Sequence, residues 1–189
     1  SVCYAAFLVY GAFIAAAGAA LPEMAGRMSM STSHVGFVFT TRGIGYFAGT
    51  ILSGYILSLT HNPVSKQMMT CVALMLSGLA TGITASSANF GLVISMFFVQ
   101  GMGSGGVDTM ANCAMPELWG LRVQPWMQAL HAMFGVGAII GPSLVGVMSY
   151  QTTFELLAVL SAVPFGVLLV YTILDQTEHA LCGGRKQRE

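Results

Sequence analysis

Charge is what this sequence has least of. Of its 189 residues, seven are Lys or Arg and seven are Asp or Glu, 7% in all, against roughly 25% in an ordinary soluble domain. So few charges cannot solvate a globular surface, and with a formal net charge of zero there is no basic face for nucleic acid. Cysteine is almost as scarce. Of the four, Cys3, Cys71 and Cys113 fall in apolar stretches and Cys182 in the tail, which excludes a disulfide framework and leaves them as packing residues. No run of His, Cys, Asp or Glu has metal-ligand spacing, no glycine-rich phosphate loop follows a strand, and no nucleophile has a base and an orienter beside it. An enzyme is therefore not expected, nor is a bound metal. No charged region precedes the first apolar segment, so a signal peptide is not expected, and the chain opens almost inside a helix.

Apolar residues are what the sequence does have. They make up 55% of it, with a mean hydropathy of +0.75. Six segments approach the ~20 residues needed to cross a ~30 Å hydrocarbon core as a helix: 2–26, 35–59, 68–87, 91–115, 128–149 and 155–174. The expected fold is an all-α protein of the lipid bilayer with six transmembrane helices. Lys66, Arg122, Arg185, Lys186 and Arg188 share one side under this topology, and only Arg27 lies in a loop on the other. The positive-inside rule then puts both ends on the cytoplasmic side. Residues 175–189 read as a solvated basic tail.

The sequence contains itself twice. ALPEMAGR at Ala20–Arg27 returns as AMPELWGLR at Ala114–Arg122, 94 positions on, and GIGYFAGTILSG at Gly43–Gly54 returns as GVGAIIGPSLVG at Gly135–Gly146, 92 positions on. Three spans form each unit. The odd number makes the second unit cross the bilayer in the opposite sense, a 3+3 inverted repeat of residues 1–87 and 88–174, an architecture common among secondary transporters. The pairs Gly45 and Gly49, Gly101 and Gly105, and Gly137 and Gly141 have the four-residue spacing that lets helix backbones approach closely in lipid. Pro142 and Pro164 are expected to bend the fifth and sixth spans.

Polar residues inside the spans point to function. Gln100, Ser104, Asp108 and Asn112 recur every four positions, and a stripe at that spacing drifts by about 40° per step. Gln128 and His131 share a face of the fifth span in the same way. With the fourth helix running inward and the fifth outward, Asn112 and His131 come out about 6–8 Å from the cytoplasmic end, and Asp108 one turn deeper. All six can face one cavity if both helices line it. An aspartate in mid-helix costs roughly 2.5–3.5 kcal/mol to insert and marks an ion, proton or substrate path more often than not. His131 could equally hydrogen-bond Asn112 or a backbone carbonyl. Arg42 lies about 11 Å in from the opposite end, differing from Asp108 by about 15 Å in depth; the structural reading has it snorkel outward or pair with Glu23. Tyr4, Tyr10, Tyr46 and Trp126 read as packing or interfacial aromatics before sugar platforms, with Tyr10 and Tyr46 deep enough to leave that second role open.

GMGSGGVDTMAN followed by QALHAMFGVGAIIGP resembles the fourth and fifth helices of the major facilitator superfamily, in the branch of fucose permease and the sodium-dependent glucose transporters. The resemblance covers essentially the whole chain, as the N-terminal six-helix half. It implies a secondary active transporter of a sugar or similar small hydroxylated solute. Asp108 then stands at the acidic position for coupling or sugar binding, Asn112 at the adjoining Asn, and Gln128 and His131 at sugar-site positions, with Na+ or H+ as coupling ion. Two positions depart from that pattern. Gly18 occupies the place of a second acidic residue, and Ser58 the place of the acid in the loop motif whose Gly54 and Lys66 are kept. A half also implies a complement: a second six-helix half in the same chain, another chain, or retention of this half for another purpose. The alternative reading is accordingly a non-transporting scaffold subunit of a larger membrane complex.

Overall fold

The computed structural model describes residues 2–59, 63–171 and 173. The basic tail predicted at 175–189 lies outside them. The described residues are helical with no strand: α1 (Cys3–Arg27), α2 (Thr32–Val35), α3 (Phe37–Ser58), α4 (Pro63–Ser86), α5 (Phe90–Trp119), α6 (Val123–Val147) and α7 (Tyr150–Leu160). Five stretches are long and apolar enough to cross a membrane: Cys3–Arg27, Thr32–Ser58, Ser65–Ser86, Phe90–Val147 and Tyr150–Tyr171. The fourth of these holds both α5 and α6, joined by a short 3-10 turn at Gly120–Arg122.

Local chemistry sets the ends. Ser31, Asn89 and Ser149 each accept a hydrogen bond from the backbone two or three residues into α2, α5 and α7, satisfying amides that a helix start leaves free. Gly120 takes a positive φ of 52°, which a side chain would resist, and lets α5 reverse into α6. The last span breaks at residues 161–162, just before Pro164, whose ring and missing amide proton favour a fresh helix start there. Pro142 is carried inside α6.

Helix α1 is buried around most of its surface, through Phe7, Phe13, Ala16 and Met24, as expected of an element with neighbours on several sides. It packs on α6 and α7, while α5 packs on α3 and α4, and α4 on α7. The α3–α5 and α1–α6 pairs are the closest, because glycines meet backbone directly. A Cβ on Gly45 or Gly49 would run into the carbonyls of Phe98 or Met102, and one on Gly101 or Gly105 into those of Arg42 or Tyr46. On the other pair, Gly11 meets Phe134, while Gly137 and Gly141 meet Leu8 and Ala12. These contacts realise the packing expected of the glycine spacing. The outward faces of α3 and α6 expose Phe47, Ile51, Ile139 and Val147, an apolar belt that lipid or protein must cover.

The two ends of the bundle are tied differently. Where α1 ends, Arg27 donates to the carbonyls of Ala85 (2.7 Å) and Ser86 (3.3 Å) and to the Tyr150 hydroxyl (3.1 Å). Glu23 accepts from the Tyr150 amide at 3.1 Å. At the opposite end Lys66 forms an ion pair with Glu117, and the Tyr4 hydroxyl donates to the Trp126 carbonyl at 3.4 Å. Lys66, expected in a loop, lies in the first turns of α4 and is buried. Trp119 and Trp126 stack face to face across the α5–α6 turn, with ring centroids 4.0 Å apart.

Candidate functional site

The polar stripe of α5 divides between two neighbours. Asp108, half buried, is held on both oxygens: the Tyr46 hydroxyl donates to Oδ2 at 2.6 Å and Asn112 Nδ2 to Oδ1 at 2.9 Å. Asn112 also reaches the Asp108 carbonyl at 2.8 Å. Donors of this kind hold a carboxylate in a fixed orientation. Gln100 turns the other way. Its Nε2 donates to Thr81 Oγ1 at 2.7 Å and its backbone carbonyl accepts from the Ser77 hydroxyl at 3.0 Å, so it faces α4 rather than the cavity shared by α1, α3, α5 and α6. Two steps of about 40° account for that rotation away from Asp108.

That cavity has a volume of about 340 Å³, within the roughly 300–1,000 Å³ of small-molecule sites. Ile14, Phe39 and Phe134 form its apolar wall, and Tyr10, Arg42, Tyr46 and Ser104 its polar one. The Ser104 hydroxyl and Arg42 Nη1 are buried without a hydrogen-bond partner. The Arg42 guanidinium lies over the Phe39 ring, 5.0 Å from its centroid. Tyr10 packs edge to face on Phe7 and Phe134.

Several expectations change here. Arg42 and Glu23 do not pair: Glu23 caps α7 at one end of the bundle, whereas Arg42 lines the cavity. The predicted separation in depth between Arg42 and Asp108 also shrinks. Arg42 lies level with Gly101, seven residues from Asp108, about 10 Å along the helix instead of about 15 Å. Gln128 and His131 are exposed, and neither lines the cavity. His131 meets Phe7 edge to face at 5.8 Å, and Asn112 gives its amide to Asp108 rather than to His131. Tyr10, Arg42 and Tyr46 are the site's contribution from α1 and α3; in sequence the two tyrosines read first as packing aromatics and Arg42 as a structural charge.

Comparison with known families settles the class. A model of the Major Facilitator Superfamily matches residues 2–188. The chain belongs to that superfamily. It is an integral, multi-pass membrane protein of a transporter family, not an enzyme. Among curated superfamily members, sodium-dependent glucose transporter 1 of Rattus norvegicus is 27% identical over 152 residues, covering 80% of this chain and 30% of that protein. Its Homo sapiens counterpart is 28% identical over 151 residues, 74% of this chain and 26% of that protein. The probable sulfoacetate transporter SauU of Cupriavidus necator is 27% identical over 154 residues, 80% and 35% of the two chains. This superfamily member thus spans about a third or less of the length of those relatives. No solved structure matches it significantly.

Proposed function

We propose that this chain is the N-terminal half of a secondary active transporter that moves a sugar or similar small hydroxylated solute, with a coupling sodium ion held at Asp108. The observation that carries the reading is the half-buried Asp108 carboxylate, oriented by Tyr46 and Asn112 beside a cavity that Tyr10, Tyr46 and Ser104 supply with hydroxyls. Hydroxyls that both donate and accept suit a polyol solute, and a preset carboxylate suits a hard cation. Names among the relatives point to glucose with sodium, and in one case to sulfoacetate. A second six-helix half, in the same chain or another, supplies the facing wall of the cavity. Both ends lie on the cytoplasmic side, following the distribution of Lys and Arg.

The architecture proposed is the 3+3 inverted repeat of residues 1–87 and 88–174, and the glycine contacts support it. Moving α1 forward by 90 positions and α3 by 92 turns one helix pair into the other. Gly11 on Phe134 becomes Gly101 on Arg42, and Gly45 on Phe98 becomes Gly137 on Leu8. The shift of 94 read from the ends of the spans fits those ends but not this packing. With 90, the counterpart of Asp108 is Gly18, where a shift of 94 would give Ile14.

Asp108→Asn in the full-length protein tests the transport reading. Vesicles carrying it are expected to lose sodium-driven uptake while the protein still inserts, because the amide keeps the shape and removes the charge. Unchanged ion-driven uptake overturns the assignment of Asp108. Stable co-purification with a large assembly, with no solute flux on reconstitution, replaces transport by the scaffold reading.

A further inference from the structure

We infer that the solute bears one oxyanion, a carboxylate or sulfonate, as well as hydroxyls, and that Arg42 is the residue that binds it. The inference rests on the transport reading above and names the chemistry of the same cavity. Arg42 is the cavity's single charged lining residue. Among the described residues, Glu155 is exposed on α7 and the other three carboxylates are engaged elsewhere. Asp108 is bound on both oxygens by Tyr46 and Asn112, Glu23 accepts from the Tyr150 amide at one end of the bundle, and Glu117 pairs with Lys66 at the other. Among the described residues, Arg42 Nη1 is buried with no acceptor, and the face of the guanidinium lies over the Phe39 ring.

A buried guanidinium without a counter-charge is expensive inside a membrane protein, and such residues face a cavity and its contents. A donor left unmet costs more still when it is charged. The planar fork of a guanidinium matches an oxyanion better than it matches a neutral hydroxyl. Phe39 supports one face of that fork, which leaves its edge for the ligand. Ser104, 1% exposed and with an unpartnered hydroxyl, adds a neutral donor on the opposite helix. A neutral hexose satisfies Ser104 and the tyrosines and leaves the charge of Arg42 unanswered. A hydroxylated acid of the same size satisfies both.

The test compares D-glucuronate with D-glucose, which differ chiefly in the carboxylate. Binding to the purified full-length protein is followed by ligand-dependent thermal shift at constant ionic strength. The wild type is expected to half-saturate at a glucuronate concentration about tenfold or more below that for glucose, the ratio that one charge-assisted hydrogen bond gives. Arg42→Gln is expected to bring the ratio of the two close to one, and Arg42→Lys, which keeps the charge without the fork, to hold an intermediate ratio. Equal binding of the two solutes by the wild type, or preference for glucose, overturns the anion inference and leaves the transport reading standing. Binding of neither solute overturns both.

Discussion

At the scale of single residues, the pair most legible in the sequence is Asp108 and Asn112, because four positions on a helix is one turn and the contact is local. The donor to the other oxygen of Asp108 was not legible. Tyr46 lies 62 positions away on α3, and nothing in a linear pattern singles it out from aromatics that only pack. Tyr46→Phe removes that donor and keeps the ring. A hydrogen bond to a charged group contributes about 1.5–3 kcal/mol, so the freed carboxylate is expected to hold its ion less well. The sodium concentration for half-maximal uptake should rise about tenfold or more; an unchanged value would separate Tyr46 from coupling. Arg42 was misread for a related reason. Its depth along its own helix suggested a distant partner at the end of α1, whereas the crossing of α3 over α5 brings it toward the cavity beside Ser104.

At the scale of elements, the edges of the apolar helices were readable to within about five residues, with α4, α6 and α7 each starting five earlier than expected, since hydropathy and length are local properties. The tight pairs were readable in kind, as small residues four apart, but not in partnership. Which glycine meets which backbone depends on how helices are brought together, and that is absent from spacing alone. Gly101 and Gly18 make a useful contrast. Both are inside helices, but a Cβ on Gly101 strikes the carbonyl of Arg42, while one on Gly18 finds open space. Gly101→Ala is expected to cost about 1–3 kcal/mol through forced separation of α3 and α5. Gly18→Ala should be neutral or stabilising by up to about 1 kcal/mol, from helix propensity. Melting curves of the two variants in the same detergent check this, and equal losses would show that the close approach of α3 and α5 contributes little.

At the scale of the whole molecule, the two ends of the bundle differ in how many elements each tie joins. Arg27 links α1 to α4 and α7 through three acceptors, while at the far end the Lys66–Glu117 pair joins only α4 to α5 and the Tyr4–Trp126 bond only α1 to α6. Sequence pattern gave the sign and side of these charges but no partners, because each bond spans more than fifty positions. Glu117→Lys places two cations together with Lys66 already buried. It is expected to destabilise by about 1–3 kcal/mol, discounted for the part of Glu117 that meets solvent. Adding Lys66→Glu should recover most of that loss in thermal melts, and no recovery would mean the pair contributes through packing alone.

The stacked indoles of the α5–α6 turn lead to something of another kind. The sequence holds two tryptophans, and both are in that stack. All of the chain's indole emission therefore originates at one spot, at the junction of two membrane-spanning helices, where such rings favour the boundary between headgroups and acyl chains. The polarity and mobility around that turn are written in the unlabelled chain's own spectrum, which makes it a native optical gauge of how deeply this end of the bundle sits.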